Sequence, residues 1–183
     1  MTLKEKIKDN HDKAETHPFV KVLFSGNINH ELYLDFLHNQ FYCYDELEKQ
    51  LVKHGLHIGI EEVLRASKIQ FDYATLSKST LGSTICNKYP STIKYCEYVK
   101  GISKKDLLAH LYVRHFGDMY GGQMLKSKVP GSASMYEFEN RSTLISKIRE
   151  MLSDDLADEA NLVFSFVSNL FDELSNEHSI PEA

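Results

Sequence analysis

The chain has 183 residues, of which 42% are hydrophobic and 26% are charged, and its formal net charge is −5. This composition is ordinary for a globular protein, the acidic balance argues against nucleic acid as the main partner, and no apolar run reaches the roughly 20 residues of a membrane span. The charged N-terminus, "MTLKEKIKDNHDK", lacks the apolar core of a signal peptide. We therefore expect one cytoplasmic, monomeric domain over residues 1–183, with flexible termini at roughly 1–3 and 176–183.

Helical periodicity dominates the chain, and prolines and glycines mark where helices end. The pattern predicts a first helix that ends near Thr16, before Pro18, and then a short helix closed by Gly26. A long helix follows, because six apolar residues repeat at steps of three and four, namely Leu34, Leu37, Phe41, Tyr44, Leu47 and Leu51.

The second half continues the helical pattern. Helices are predicted over 61–78 and 91–101, and Ser103 with Asp106 resembles a capping box that opens a helix running to Leu125. The segment "VPGSAS" interrupts the pattern before a last long helix that contains Phe164. Since the sequence shows no strand series, repeat or linker, the predicted fold class is all-α, a single-domain bundle of antiparallel helices.

The three cysteines, Cys43, Cys86 and Cys96, are odd in number and their spacing fits no metal motif. We interpret all three as reduced thiols.

The segment "RHFGDMYGGQM", residues 114–124, places three glycines inside a predicted helix. Each glycine costs a helix interior roughly 1 kcal/mol relative to alanine, so the helix must gain something from them. Close helix packing or a kink is one explanation. In the other, Gly117 and Gly121 share a face that a flat ligand can approach closely, and Asp118 beside them holds water. The second explanation predicts a ligand pocket with a polar corner.

The N-terminal helix supplies a candidate for the opposite wall, because Lys4, Lys8, His11 and Glu15 follow steps of four, three and four. A solvated stripe with Lys–Glu pairing is one interpretation. In the other, His11 ligates a metal, Glu15 accepts a hydrogen bond from the second ring nitrogen, and the lysines meet anionic groups of the same ligand. A planar metal complex with carboxylate tails, such as haem, has this chemistry.

At these two segments the chain resembles the haem oxygenases. "RHFGDMYGGQ" is similar to the distal-helix signature of that family, and "HDKAETHPFVKVLFSG" is similar to its proximal segment. "FDEL", residues 171–174, is similar to its last helix, so the resemblance covers most of the chain. It implies a haem-oxygenase-like bundle with haem between a proximal N-terminal helix and a kinked, glycine-rich distal helix.

The resemblance also implies an activity, the oxidative cleavage of haem to biliverdin, carbon monoxide and ferrous iron. Haem is then both cofactor and substrate, dioxygen is consumed, and electrons come from ferredoxin or a flavin reductase, with no role for nucleic acid or membrane.

Residue roles follow from the same resemblance. His11 would be the only protein ligand of the iron. Gly117 and Gly121 would lie over the iron, and Asp118 would anchor a water network that delivers protons. The remaining implied roles are the bracing of that network by Tyr44, Tyr112 and Arg114, contacts to the haem by Ala14, Glu15 and Phe164, and pairing of Lys4 and Lys8 with the propionates.

The chain departs from the family pattern at Tyr120, where a small residue is usual, and at His115, which we expect to face away from Gly117. Tyr120 could fill space beside the distal glycines or add a hydrogen bond, and we include it among the haem-binding residues. Arg141, Lys147 and Arg149 are candidates for further propionate contacts, and we include Arg141 in the predicted site.

Three alternatives stay open at this stage. The first is a non-catalytic haem-binding or storage protein of the same fold, which would need no proton-delivering Asp118. The second is a helical enzyme of the thiaminase-like type, with Cys86 or Cys96 as nucleophile. The third is a helical interaction module.

Overall fold

Helices make up nearly all of the regular structure in the computed structural model, which describes residues 1–79 and 86–182. No strand occurs within these two ranges, so the all-α prediction is confirmed. The α-helices are α1 (Leu3–Lys6), α2 (Lys8–Glu15), α3 (Pro18–Phe24), α4 (His30–Lys53), α5 (Ala66–Ser79), α6 (Pro90–Gly101), α7 (Lys104–Tyr120), α8 (Gly122–Leu125), α9 (Arg141–Glu150) and α10 (Ala157–Glu177). Three short 3₁₀ helices cover Glu61–Val63, Ser134–Tyr136 and Asp154–Leu156.

Helix α4 is the centre of the bundle and packs against α5, α6 and α7, while α10 packs against α2, α3, α6 and α7. The apolar repeat predicted for α4 is buried, since Leu37, Leu47 and Leu51 are each fully inaccessible. Burial of one such side chain contributes about 1.5–3 kcal/mol, so this face secures the helix that carries Tyr44. In the part of the chain that is described, no helix is long and apolar enough to cross a bilayer.

The N-terminal segment is two helices where the periodicity predicted one. Helix α2 ends at Glu15, with Thr16 as its C-cap, which agrees with the predicted end near Thr16. Ile7, however, separates α1 from α2. Leu3 and Ile7 are both buried in the apolar cluster that contains Phe164. In addition, the backbone N–H of Leu3 donates to Asp154 at 2.6 Å. Lys4 and Lys8 therefore lie on different helices, and the flexibility of the termini stays a prediction.

The structure differs from the prediction at three further places: the start of α5, the end of the distal helix, and helix α9. The helix predicted over 61–78 begins at Ala66, because Glu48 accepts hydrogen bonds from the backbone N–H groups of Arg65 and Ala66. The distal helix breaks at Gly121 into α7 and α8. Helix α9 was not predicted, since it buries only Leu144, Ile145 and Ile148. The predictions for Gly26, with φ at 81°, and for the Ser103 cap are confirmed.

Candidate functional site

The three distal glycines have different surroundings. Gly117 is exposed, and a Cβ atom built on it would meet nothing within 4 Å. A Cβ on Gly121 would lie 3.7 Å from Cζ of Phe24, whereas one on Gly122 would lie only 2.4 Å from Cδ1 of the Tyr136 ring. Close packing therefore explains Gly122, while Gly117 leaves an open face on α7. The packing explanation is therefore confirmed for Gly122, and the ligand explanation for Gly117 stays a prediction.

Two hydrogen bonds tie the broken end of the distal helix to its surroundings. The Arg141 guanidinium donates to the carbonyl oxygen of Met119 at 2.9 Å, which satisfies a backbone acceptor at the break. The amide of Gln123, on α8, donates to the carbonyl oxygen of Tyr136 at 2.9 Å and so joins α8 to the segment Ser134–Tyr136. The side chain of Arg141 thus holds the end of α7.

Asp118 carries the chemistry of the distal side. Its carboxylate accepts a hydrogen bond of 2.5 Å from the hydroxyl of Tyr44. Burial raises the pKa of the Asp118 carboxyl to about 6, although the Tyr44 hydrogen bond and the positive charges of the nearby His115 and Arg65 oppose the shift. A carboxyl that titrates near neutral pH can both release and accept a proton under physiological conditions.

Two further tyrosines lie near this carboxylate. Tyr33 and Tyr136 are buried, and Asp118 raises the pKa of each, in addition to the larger effect of burial. The two phenols also interact with each other, although the buried Tyr33 hydroxyl makes no hydrogen bond of full geometry within the described ranges. A buried hydroxyl with incomplete hydrogen bonding is a position that an ordered water or a ligand satisfies. Sequence reasoning missed both residues, because their spacing is that of ordinary core positions.

Arg114 lies deeper than the predicted network. It is 6% exposed and donates from Nη1 to Oε1 of Gln40 at 3.2 Å. Its guanidinium carbon lies 4.0 Å from the centre of the Tyr95 ring and 5.8 Å from that of Tyr44. Arg114 is therefore placed beside Tyr44 and among aromatic rings.

His115 faces away from the open side of Gly117, as expected. It is fully buried, its Nε2 lies 3.4 Å from Oε1 of Glu48, and its Nδ1 lies 3.2 Å from the carbonyl oxygen of Leu111. Its ring also packs edge-on against Tyr44, with the centroids 5.0 Å apart. These contacts occupy the imidazole within the core.

On the proximal side, His11 projects from α2 with about half of its side chain exposed. Its Nε2 lies 3.6 Å from Oε1 of Glu15, and its Nδ1 lies 3.6 Å from Oδ1 of Asp12, so neither contact is a direct hydrogen bond. The ring meets Phe164 edge to face at 5.9 Å, and Ala14 is buried in the same apolar cluster as Phe164. An accessible imidazole against an apolar wall suits a ligand of haem iron.

Lys8 forms an ion pair with Asp12, one turn along α2. This pairing corresponds to the solvated-stripe interpretation, with Asp12 rather than Glu15 as the partner. Oxygen and nitrogen atoms of His11, Asp12 and Glu15 lie within 4.8 Å of one another, all on the solvent side of α2.

A cavity of about 290 Å³ joins the N-terminus to α7 and α9, and Lys4, Tyr112 and Arg149 line it. Arg149 also donates from Nη2 to the hydroxyl of Tyr120 at 2.9 Å. Asp154 lines it as well, but its carboxylate accepts the backbone N–H of Leu3, and the lining has two cations against this one anion. The balance suits carboxylate groups, and the volume, at the small end of ligand pockets, fits one edge of a larger molecule.

Of the three candidate basic residues, Arg149 alone lines this cavity. Lys147 donates to the carbonyl oxygen of Gly59, and Arg141 to that of Met119. Spacing could not separate the three, because helix α9, which carries all of them, was not predicted.

The two cysteines considered as nucleophiles lie elsewhere. Cys86 contacts Tyr73, and Cys96 faces α4, where its thiol donates to the carbonyl oxygen of Tyr42 at 3.4 Å. Neither lines the cavity beside Lys4.

By its chemistry, the half-exposed His11 suits a metal ligand, the side-chain-free face of Gly117 suits the close approach of a flat molecule, and the cavity beside Lys4 suits carboxylate groups. The helical order is that of solved haem oxygenases. The structure of the enzyme from Leptospira interrogans superposes with a TM-score of 0.81 at 23% identity, covering 94% of this chain and all of that one. Heme oxygenase-1 from Synechocystis sp. in complex with heme gives 0.80 at 22% identity, covering 96% of this chain and 91% of that one.

Sequence comparison carries the assignment beyond the fold. The model of the family described as heme oxygenase matches residues 1–173, so the chain belongs to the haem oxygenase family. Heme oxygenase 1 of Nostoc sp. is 28% identical, with 91% of this chain and 82% of the relative aligned. Heme oxygenase of Guillardia theta is also 28% identical, over 94% of this chain and 84% of the relative.

Proposed function

We propose that this chain is a haem oxygenase that binds haem as substrate and cleaves it to biliverdin, carbon monoxide and ferrous iron. Dioxygen and an external electron donor, ferredoxin or a flavin reductase, are required, and we propose a single-domain, monomeric, cytoplasmic protein. The observation that carries the proposal is Asp118, a carboxyl with its pKa near 6, next to the side-chain-free face of Gly117.

The proximal residues would hold the haem. His11 supplies the protein ligand, and Glu15, 3.6 Å from its Nε2, orients the ring through a bridging water or a small movement of its side chain. Ala14 and Phe164 would supply an apolar surface beside His11 for the haem macrocycle. When bound, haem supplies the redox chemistry with dioxygen that the side chains of this protein lack.

The carboxylate tails would lie at the cavity beside Lys4. Lys4 and Arg149 supply charge there, and the Tyr112 hydroxyl supplies a donor. Lys8 would bind a carboxylate tail only if its ion pair with Asp12 were broken. The guanidinium of Arg141 is occupied by the Met119 carbonyl oxygen, which supports Arg149 rather than Arg141 in this role.

The distal residues would control protons and space. The lack of a side chain on Gly117, together with the small Gly121, lets the ligand approach the backbone of α7. The Asp118 carboxyl receives a proton from solvent and releases it toward the reacting oxygen, through water that its second oxygen holds. Tyr44 fixes the carboxyl orientation, since its own pKa is raised well above the usual value by burial and its hydroxyl stays a donor. Arg114 packs near the Tyr44 ring and would brace it.

Titration of the purified protein with hemin, followed by ascorbate or reduced ferredoxin under air, tests the proposal. We expect a sharp Soret band that decays as the broad red absorption of biliverdin appears. Asp118→Ala should bind hemin with unchanged affinity and form no biliverdin. A Soret band that persists in the wild-type protein would instead establish a haem-binding or storage protein, and biliverdin formation by Asp118→Ala at the normal rate would contradict the proton-transfer role.

The proximal assignment has its own test. His11→Ala should fold normally, because the side chain is half-exposed, and should lose the Soret spectrum of histidine-ligated haem. Added imidazole should restore that spectrum by occupying the space of the missing ring. His30→Ala is the matched control, since His30 is exposed at the start of α4. If His11→Ala and His30→Ala give the same spectrum as wild type, His11 is not the iron ligand.

A further inference from the structure

Arg114 is a buried cation that lacks a carboxylate partner. Its side chain is 6% exposed, and in the described part of the chain no carboxylate lies within ion-pair distance of it. Its Nη1 bonds to the neutral amide of Gln40, and its buried Nε has no hydrogen-bond partner among the described residues. Burial of an unpaired charge costs several kcal/mol, so a group that can become an anion next to Arg114 is favoured in that form.

Cys43 is such a group. It lies on α4, is 1% exposed and interacts directly with the Arg114 guanidinium. Cys96, half-buried on the adjacent α6, contacts Cys43, and its Sγ lies 3.4 Å from the carbonyl oxygen of Tyr42. The two thiols are thus brought together by the packing of α6 on α4, with the guanidinium on one side.

These contacts separate the acidities of the two thiols. The neighbouring Cys96 side chain lowers the pKa of Cys43 to about 7, and Arg114 adds to the effect although burial opposes it. The same interaction raises the pKa of Cys96, which retains its proton. An ordinary cysteine has a pKa near 8.5, so at neutral pH far more of Cys43 is the nucleophilic thiolate.

The third cysteine lacks these features. Cys86 is half-buried beside Tyr73, and burial raises its pKa. It therefore serves as an internal control for thiol chemistry in the same chain.

We propose that Cys43 and Cys96 form a dithiol that hydrogen peroxide oxidises to an intramolecular disulfide, with Arg114 as the counter-ion of the reacting thiolate. The Cys43 thiolate attacks one peroxide oxygen, the O–O bond breaks, and the leaving hydroxide takes the Cys96 proton to form water. The Cys96 thiolate then attacks the Cys43 sulfur and displaces the second hydroxide, which takes a proton from solvent. Two thiols and one peroxide give one disulfide and two waters.

Access favours a small oxidant. Cys43 is almost fully covered, so a reagent reaches the pair from the side of Cys96. The site does not require haem, and its test is independent of the proposed oxygenase activity.

The reduced, haem-free protein should be treated with hydrogen peroxide, and its free thiols and intact mass measured. We expect two of the three thiols to be lost together, the mass to fall by two hydrogen atoms, and dithiothreitol to reverse both changes. Peptide mapping should join the segments that contain Cys43 and Cys96. Retention of all three thiols in the folded, peroxide-treated protein would overturn the proposal, as would a disulfide that includes Cys86 or a second chain.

Matched variants separate the roles of the three thiols. Cys86→Ser should form the disulfide at the wild-type rate, whereas Cys96→Ser should form none and leave a sulfenic acid on Cys43 that dimedone traps. Disulfide formation in Cys96→Ser would refute the pairing.

The part of Arg114 is tested separately. Arg114→Gln should slow oxidation at pH 7 by roughly two- to threefold, because the thiolate fraction falls while the Cys96 contact remains. The oxidation rate of the wild-type protein should also be half-maximal near pH 7, a measurement that needs no variant. A half-maximum near pH 8.5 would show that neither Cys96 nor Arg114 stabilises the thiolate, and a wild-type rate in Arg114→Gln would show that Arg114 does not.

Discussion

Substitution of the distal glycines by alanine should separate packing from ligand binding. In Gly122→Ala, the new Cβ would lie 2.4, 3.1 and 3.2 Å from three carbons of the Tyr136 ring. Tyr136 is 1% exposed, so its ring cannot move into solvent. Overpacking of this kind costs typically 1–3 kcal/mol, and the 2.4 Å contact places Gly122→Ala in the upper part of that range, at about 2 kcal/mol or more. For a chain of this length the melting temperature should fall by about 4–8 °C.

Gly117→Ala should behave in the opposite way. Its Cβ would meet nothing within 4 Å, and the position is interior to α7, so the helix should gain up to about 1 kcal/mol and melt about 2–4 °C higher. The new methyl group would lie on the open face of α7, where it should reduce haem turnover by roughly tenfold or more, about 1.4 kcal/mol.

Thermal melts followed by circular dichroism on the haem-free proteins, together with biliverdin assays, measure both effects. Gly101→Ala is the control, because its Cβ would also meet nothing within 4 Å but it ends α6. It should leave turnover unchanged. The reasoning is refuted if Gly122→Ala melts with the wild-type protein, or if Gly117→Ala loses stability and retains full turnover.

Two further predictions concern charge. Burial raises the pKa of Asp118 from 3.8 to about 6, so the native state binds this proton more tightly than the unfolded state. The ionised carboxylate therefore destabilises the native state. This destabilisation is zero below about pH 4 and reaches its full size above about pH 6. The shift sets an upper limit of about 3 kcal/mol, and because the side chain keeps some solvent contact, Asp118→Asn should be about 1–2 kcal/mol more stable at pH 8, with the gain vanishing near pH 4. Urea titrations at several pH values measure the free energy of unfolding of Asp118→Asn, with Asp9→Asn as an exposed control. A gain in stability that does not change with pH would contradict the raised pKa of Asp118. Arg149→Gln should weaken hemin binding by about 5–30-fold, or 1–2 kcal/mol, at unchanged melting temperature, whereas Arg141→Gln should lower stability by about 1 kcal/mol because Met119 loses a donor. Equal effects of Arg149→Gln and Arg141→Gln on hemin affinity would show that Arg149 has no special role in binding.

Local patterns in the sequence were sufficient to predict most of the helices and the two segments that build the candidate site. Helix ends depend on nearby residues, so Pro18, Gly26 and Ser103 could be interpreted directly. His11 and Asp118 could be singled out because their neighbours follow helical spacing and form family motifs. These features need no knowledge of distant contacts.

The tertiary structure decided which chemically similar residue has which role. Gly122 is the packing glycine because Tyr136 covers it, and Arg149 rather than Arg141 lines the cationic cavity because of how α9 lies beside α7. Likewise, the burial of Leu3 and Ile7 against residues of α10 depends on distant contacts that no local pattern records.

The same distinction applies to chemistry. The residue type made Asp118 a candidate for proton transfer, but its pKa of about 6 results from burial, against which the hydrogen bond from Tyr44 on another helix acts. Cys43 and Cys96 are unremarkable in the sequence, and only the packing of α6 on α4 brings them together beside a buried arginine. A sequence determines which groups are available. Their protonation and partners depend on the solvent that the fold excludes and on the charges it places nearby.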